Sequence, residues 1–247
     1  MSILHTKFLV HWTGKDFHID RNNLTDQDRK KYVDRLKDIL DHGFYMNKGS
    51  EMLWDTKDQW IQAKIARTCF TEIKLSLARK HAERYGLLGI RVDRNFILER
   101  YGNPVFYQYN GKFNCIAENL RLVRDYLEKR DETEKKSNEE SWLRKLEVIL
   151  VYCKNMNERD VDEYPYYDEL EWRIIDFRKL LDEEKIKQVG KDKNGNSVFR
   201  ILLKPEDIKI MVFPDDKTRD MALLDNFIRD SRRKNWIITT LDDCEHF

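Results

Sequence analysis

The segment IKQVGKDKNGNSVFRILL, residues 186–203, predicts a β-hairpin. Two runs that carry β-branched and aromatic residues flank the dipeptide Asn194-Gly195, which is typical of a type I′ turn. A two-residue turn joins antiparallel strands, whereas parallel strands need a long crossover connection. The hairpin therefore favours an α+β fold over a doubly wound parallel sheet.

Other segments predict helices and strands that follow one another without regular alternation or a repeat period. Residues 25–42 form the clearest helix, with Thr25 as its N-cap and apolar residues at helical spacing. Residues 43–65 are predicted as a loop with a helical piece near 57–64. The other predicted strands are FLVHWTG, IARTCFTEI, NPVFYQYN, YYDELEWRIIDF, DIKIMVFP and WIITTLDD. We expect a mixed, mainly antiparallel sheet with flanking helices.

Residues 1–247 are predicted to form one α+β domain. With 40% hydrophobic residues the chain can furnish a core of that size. The charge run KRDETEKKSNEES, residues 129–141, has no apolar spacing, so we interpret it as a charged loop or helix extension. A domain boundary there would leave few strands in each half.

Charge and cysteine usage narrow the class of protein. Lysine and arginine number 46 and aspartate and glutamate 45, so no global field attracts nucleic acid or an anionic membrane. The four cysteines are scattered without a CxxC pair or metal-ligand spacing, which favours a reduced compartment and no metal. No apolar run reaches the length of a membrane span or a signal peptide. We expect a cytoplasmic protein that does not enter the membrane.

The first predicted strand places two polar side chains on one face. His11 and Thr13 are two residues apart, and side chains of a strand alternate between faces. Phe8, Val10 and Trp12 project the other way and can supply the buried face. The pair either contacts a ligand or is an ordinary core or sheet-edge histidine with a hydrogen-bonded neighbour.

The segment YYDELEWRIIDF predicts a second strand with a charged face. Glu169, Glu171 and Arg173 share that face, whereas Leu170, Trp172 and Ile174 are predicted to pack inward. A sheet face with cross-strand ion pairs would have the same pattern.

Together these two strands suggest cleavage of a glycosidic bond, such as the nicotinamide bond of NAD. A carboxylate beside the ribose stabilises an oxocarbenium-like transition state, and a histidine can hold ribose hydroxyls. Aromatic side chains such as Tyr45 and Phe70 could cover the nicotinamide ring, although aromatic residues on strands more often pack in the core.

Six stretches resemble the bacterial abortive-infection family AbiGi, in the same order along most of the chain. They are LVHWTG, ILDHGFYMN, TCFTEIKLSLARKHAERYGLLGIRVDRNFI, NPVFYQY, YYDELEWR and WIITTLDDCEHF. The resemblance implies a role in phage resistance, as the antitoxin of a toxin–antitoxin pair whose partner is encoded nearby.

The first and last of these motifs also resemble the broad ADP-ribosyltransferase-like group. That resemblance implies that His11 and Thr13 contact NAD. From their side-chain chemistry, Arg173, Tyr45 and Phe70 are further candidates for binding the cofactor. It implies that Glu171 drives the transfer and that Glu169 is the first member of an ExE pair. The acceptor would be a nucleic acid, a protein or water.

Three classes of function remain open at this level. The chain is an ADP-ribosyltransferase-like enzyme, a non-catalytic antitoxin that binds a partner protein, or a nucleic-acid-binding protein. The third class has the weakest support, because the basic segment RDSRRKN, residues 229–235, lies near a predicted helix C-terminus, where the helix dipole alone favours positive charge.

Overall fold

The structure is a computed structural model that describes residues 7–49, 51–54, 60–108, 114–133, 142–158, 161–231 and 236–246. The α+β class is confirmed, because helices flank a mixed and mostly antiparallel sheet. The α-helices in this part of the chain are α1 (Asp26–His42), α2 (Ala78–Tyr85), α3 (Arg94–Leu98), α4 (Cys115–Thr133), α5 (Trp142–Leu150), α6 (Arg178–Asp182), α7 (Asp216–Leu224) and α8 (Asn226–Ser231).

The strands of the described residues are numbered along the chain. They are β1 (Phe8–Thr13), β2 (Phe44–Met46), β3 (Glu51–Trp54), β4 (Trp60–Ala63), β5 (Arg67–Thr71), β6 (Leu88–Asp93), β7 (Asn103–Pro104), β8 (Phe106–Gln108), β9 (Cys153–Asn155), β10 (Asn157–Glu158), β11 (Val161–Pro165), β12 (Glu171–Ile175), β13 (Ile186–Lys191), β14 (Ser197–Ile201), β15 (Ile208–Phe213) and β16 (Ile237–Thr240).

Seven of these strands form the central sheet, in the order β16-β15-β6-β1-β5-β12-β7. Every neighbouring pair is antiparallel except β15 and β16, which are parallel. The predicted strand that carries His11 therefore lies at the centre of the sheet. The predicted glutamate strand lies two places away, with β5 between them.

Helix α1 begins where the sequence predicts. The Oγ1 of Thr25 accepts a hydrogen bond from the backbone N–H of Asp28, and the carboxylate of Asp28 accepts one from the N–H of Thr25, each at 3.2 Å. This reciprocal capping box satisfies two amide groups that the helix itself cannot. The helix buries Tyr32, Val33 and Leu36 in the main core.

The main core covers both faces of the central sheet. Leu9 and Val10 are neighbours on β1 and project to opposite faces, yet both are almost completely buried. The expectation that only the face of Phe8, Val10 and Trp12 is buried is therefore too narrow. A polar side chain on either face of β1 is enclosed by protein.

The predicted hairpin is confirmed, with β13 and β14 antiparallel on either side of the turn. The type I′ turn is wrong, because Gly195 has a positive φ and Asn194 does not. The N–H of Gly195 donates to the carbonyl oxygen of Asp192 at 2.9 Å, and the N–H of Asp192 donates to that of Asn196 at 2.8 Å, so three residues separate the last paired positions. Strand β2 extends the hairpin to three strands, in the order β13-β14-β2. The helical piece predicted near 57–64 is wrong for residues 60–63, which form β4 and pair with β3. Residues 57–59 lie outside the described residues.

The strand predicted from YYDELEWRIIDF is shorter than expected. Residues Tyr166–Glu169 form a 3₁₀ turn, and Leu170 has a φ of +44°, so β12 starts only at Glu171. The bend breaks the alternation on which the prediction relied. Leu170 is 43% exposed, so the prediction that it packs inward is wrong, whereas Ile174 is buried as predicted.

Two charged segments extend past the described residues. Helix α4 includes the start of the 129–141 run and ends at Thr133, while 134–141 lie outside the described residues. The basic segment 229–235 begins in α8, and its residues 232–235 also lie outside them. The prediction of a single domain stays a prediction.

Candidate functional site

The central sheet is split between β1 and β5. These strands are joined at a single Cα pair, Val10 with Thr71, whereas β1 pairs with β6 along all six of its residues. Beyond that pair, the Nδ1–H of His11 donates a hydrogen bond to the carbonyl oxygen of Cys69 at 2.9 Å. At this position the side chain of His11, and not a backbone N–H group, donates the hydrogen bond from β1 to β5. The two backbones are therefore separated by a gap.

A deep pocket lies at this gap and has a volume of about 250 Å³. Residues from β1, β5, β9 and β12 enclose it, together with the last residue of α2 and the last residue of the 3₁₀ turn before β12. They are Val10, His11, Trp12, Arg67, Cys69, Thr71, Tyr85, Lys154, Glu169, Glu171 and Arg173. The imidazole strand and the glutamate strand therefore line one pocket.

The register explains how His11 and Glu171 reach the same pocket. Val10, Thr71 and Glu171 stand in one row across β1, β5 and β12, so their side chains share a face of the sheet. His11 follows Val10 and projects to the other face, where its ring packs against Phe44 at a centroid distance of 4.9 Å. Both residues line the pocket because β1 and β5 separate at this point.

A cluster of two carboxylates and two cations forms the floor of the deep pocket. Oε1 of Glu171 accepts a hydrogen bond from Nε of Arg173 at 2.7 Å, and its Oε2 accepts from Nη2 of Arg173 at 3.2 Å. Nζ of Lys154 donates both to Oε2 of Glu171 at 2.8 Å and to Oε2 of Glu169 at 2.7 Å. The hydroxyl of Tyr85 donates to the other oxygen of Glu169. All four charged groups are largely buried, so each depends on the others for its charge balance.

The two carboxyl groups of this cluster have pKa values shifted in opposite directions. Burial alone would raise the pKa of Glu171, but the charges of Arg173 and Lys154 outweigh it and lower the pKa well below its usual range. Burial raises the pKa of Glu169, because Lys154 and the hydroxyl of Tyr85 offset only part of the desolvation. Glu171 is therefore ionised at neutral pH, and Glu169 is the carboxylate that takes up a proton more readily.

A wider groove of about 740 Å³ opens beside the deep pocket. His11, Thr13, Arg35, Tyr45 and Arg200 contribute to its walls. The Oγ1 of Thr13 accepts a hydrogen bond from Nη1 of Arg35 at 3.0 Å, and the guanidinium of Arg200 lies 5.5 Å from the ring centroid of Tyr45.

The groove and the deep pocket share three residues, His11, Trp12 and Tyr85. We call the two spaces together the cleft. The cleft brings together six of the seven residues that the sequence predicts as site residues. They are His11, Thr13, Tyr45, Glu169, Glu171 and Arg173. Phe70 is not among them, because it lies fully buried in the core against Phe44 and Phe96.

Sequence reasoning missed Lys154 and Trp12. Lys154 lies on β9, in the stretch WLRKLEVILVYCKN that the sequence predicts as a helix, and no pattern links a short strand to its distant partners. The alternation of β1 predicts that Trp12 lies on the packed face, and it therefore gives no sign that Trp12 also lines both parts of the cleft. The apolar residues of WLRKLEVILVYCKN lose their helical spacing at VYCKN, and this is the signal from which the end of α5 and the start of β9 could be predicted.

The environment of His11 predicts a pH-dependent stability. Burial lowers the pKa of His11 from 6.5 to about 4, so the folded protein resists its protonation while the unfolded chain accepts the proton. We expect the contribution of His11 to the free energy of unfolding to be largest above pH 6.5 and to fall by up to about 3 kcal/mol as the pH drops towards 4. Urea denaturation across this range measures the loss.

The His11→Asn variant serves to assign that loss. Its denaturation midpoint should depend less on pH between 6.5 and 4 than that of the wild type. His81, whose pKa burial also lowers to about 4, contributes its own part in both proteins. An unchanged pH dependence in His11→Asn would show that His11 is not enclosed as described.

The fold and the cleft define an α+β protein with a ligand-sized cleft at the split of its central sheet. The family model described as "Putative abortive phage resistance protein AbiGi, antitoxin" matches residues 44–214, well over half of the chain. The chain therefore belongs to the AbiGi family, and the resemblance seen in its motifs is confirmed. The match includes β5, β9 and β12, whereas β1 precedes it. Membership of a family described as an antitoxin implies a toxin partner.

Neither the comparison with curated proteins nor the comparison with solved structures gave a match. Within the described ranges, no group of three or more histidine, cysteine, aspartate and glutamate residues could hold a metal ion. In the same part of the chain, no helix combines the length and the apolar character that crossing a membrane requires.

Proposed function

We propose that this AbiGi-family protein acts in abortive phage defence by binding NAD in the cleft and breaking its nicotinamide bond. The observation that supports this proposal is the junction of a deep pocket and a wider groove at His11. The deep pocket, at about 250 Å³, is smaller than the roughly 300–1,000 Å³ typical of sites for whole drug-sized ligands. It suits one ring, and the groove of about 740 Å³ suits the remainder of a dinucleotide.

The proposed chemistry assigns a role to each group around the ribose. The bond between C1′ of the ribose and the pyridine nitrogen breaks, and its electron pair leaves with nicotinamide, which becomes neutral. The carboxylate of Glu171 stabilises the oxocarbenium charge that develops on the ribose. The acceptor or a water forms the new bond to C1′, and its proton passes to Glu169, whose pKa is raised.

The other predicted residues bind the cofactor. Because Nδ1 of His11 carries a proton and the ring is neutral, its Nε2 accepts a hydrogen bond from a ribose hydroxyl. Arg35, which already bonds Thr13, offers a guanidinium for the pyrophosphate in the groove, and the exposed ring of Tyr45 stacks on a base.

A second candidate function is a non-catalytic antitoxin that binds a toxin protein. The family description supports it, and so does the state of Glu171, whose carboxylate is already neutralised by Arg173 and Lys154. A carboxylate held by two cations has less negative potential to offer a developing positive charge. On this hypothesis the cleft is a transferase-like site without turnover, and function resides in the complex with the partner.

Nicotinamide release from NAD by the purified full chain tests the first proposal. We expect Glu171→Gln to lower the rate by about 10²–10³-fold, because the group that stabilises the transition state is lost. Glu171→Asp keeps the charge that the buried cations require, so it tests the same role if Glu171→Gln does not fold. The matched control is Glu206→Gln, an exposed glutamate that should leave the rate unchanged.

Calorimetric titration with NAD and growth assays separate the two candidates. No NAD binding and no nicotinamide release by the wild type, with or without the product of the adjacent gene, would contradict the NAD proposal. Rescue of cells from that product, together with co-purification, would establish the antitoxin function. Toxicity of this chain alone that disappears in Glu171→Gln would instead exclude a purely antitoxin role.

A further inference from the structure

Trp12 has an unusual position in the cleft. It is 6% exposed and lines both the deep pocket and the groove. Its six-membered ring faces β6, because a methyl group at Gly89 would lie only 2.6 to 3.0 Å from Cζ3, Cη2 and Cε3 of the indole. The edge that carries Nε1 is on the other side of the ring and therefore faces away from β6. On that side of β1 lie the gap towards β5 and the deep pocket.

The indole N–H of Trp12 is a buried donor without an acceptor. Among the described residues that line the deep pocket, Nε1 of Trp12 is the one buried polar side-chain atom that has no hydrogen-bond partner. Such groups are rare in folded proteins, because a buried N–H that loses its bond to water is unfavourable. By contrast, Nε1 of Trp236 donates to the carbonyl oxygen of Pro205 at 2.8 Å.

The charged groups of the pocket constrain which ligand atom meets this donor. Glu171 is balanced by Arg173 and Lys154, and Nη1 of Arg67 donates to the carbonyl oxygen of Gly49 at 2.8 Å. The charges thus have partners within the protein, and the open position is a neutral donor. A neutral acceptor oxygen on a ring-sized group matches this donor.

We propose that the indole N–H of Trp12 binds the carbonyl oxygen of an uncharged carboxamide on a ring that occupies the deep pocket. This inference rests on the proposed NAD function, in which that group is the carboxamide of nicotinamide. It places the nicotinamide end in the deep pocket and the adenosine end in the groove.

Calorimetric titration of the wild type and Trp12→Phe with three probes tests the assignment. Phenylalanine keeps an aromatic ring against Gly89 and removes the donor. We expect Trp12→Phe to bind nicotinamide and NAD about three- to tenfold more weakly, as for the loss of one neutral hydrogen bond, and to bind AMP unchanged. Trp236→Phe, which loses an indole N–H outside the cleft, should match the wild type with every probe.

Nuclear magnetic resonance of the wild-type protein gives a measurement that needs no folded variant. The indole proton of Trp12 should shift downfield on addition of nicotinamide, because it then enters a hydrogen bond, while that of Trp236 stays in place. If the wild type binds NAD, and Trp12→Phe binds NAD and nicotinamide as tightly as the wild type does, the assignment to Trp12 is overturned and the NAD proposal stands. If the wild type binds neither NAD nor nicotinamide, both are overturned.

Discussion

Replacing Lys154 by methionine is expected to lower the free energy of unfolding by about 3–5 kcal/mol at neutral pH. The ammonium group is the shared donor of two buried carboxylates, at 2.7 Å from Glu169 and 2.8 Å from Glu171. Without it, Glu171 keeps Arg173, whereas Glu169 keeps the hydroxyl of Tyr85 and the more distant Nε of Arg84, 4.0 Å from its Oε1, and lies buried next to a like charge. Urea denaturation at pH 7 measures the change as a shift of the midpoint.

Two further variants establish the cause of that loss. Lys154→Met combined with Glu169→Gln should recover a large part of the stability, because the uncompensated charge is then absent. In the control Lys209→Met, the lysine that is removed lies 3.0 Å from Asp93, and the two side chains are 38% and 40% exposed. This variant should lower the free energy of unfolding by less than about 1 kcal/mol. If Lys154→Met were as mild as Lys209→Met, the carboxylates would not depend on Lys154.

Replacing Gly86 by alanine is expected to lower the free energy of unfolding by about 3 kcal/mol or more. Gly86 ends α2 with a φ of +117°, a conformation that side-chain-bearing residues rarely adopt. A Cβ there would lie 2.2 Å from both the carbonyl carbon and the oxygen of Thr13, at the end of β1. The backbone of β1 would have to move, and overpacking of this kind costs about 1–3 kcal/mol in addition to the strain.

Gly195→Ala is the matched control for this substitution. Gly195 has a φ of +79° in the hairpin turn, and nothing lies within 4 Å of a Cβ at that position. It should therefore lose only the conformational part, about 1–2 kcal/mol. If both variants lost the same free energy of unfolding, the backbone of Gly86 would not be in close contact with that of Thr13. Thr13 lines the groove. If the groove binds NAD as proposed, Gly86→Ala should therefore also weaken NAD binding, whereas Gly195→Ala should not.

Much of the fold could be predicted because short-range rules determine it. The N-cap at Thr25 and the hairpin around Asn194-Gly195 depend on a few neighbouring residues, and both predictions are confirmed, although the turn is not of type I′. The strands from residues 44 to 63 could not be predicted, since they are short and rich in aromatic and polar residues that also suit a loop. For β2 the strand character comes from a partner distant in the sequence, as in the pairing of Tyr45 with Arg200, whereas β3 and β4 pair with each other.

The candidate site was predictable where a single strand carries its residues. Period-two spacing placed Glu171 and Arg173 on one face, and the structure retains that pairing. Three features depend on how distant segments meet, and the sequence could not reveal them. Lys154 joins the cluster from a three-residue strand, Phe70 packs in the core against Phe44 and Phe96, and the bend at Leu170 breaks the alternation.

The single backbone pair between β1 and β5 divides the hydrogen-bonded ladder of the central sheet into a four-stranded leaf and a three-stranded leaf. Each leaf has continuous cross-strand bonding of its own, so bending at the seam disrupts far fewer amide bonds than bending elsewhere. Any molecule seated at the seam touches both leaves. Ligand binding at the seam and the angle between the leaves are therefore thermodynamically linked. A partner protein that binds one leaf and changes that angle would change the affinity of the cleft for its ligand.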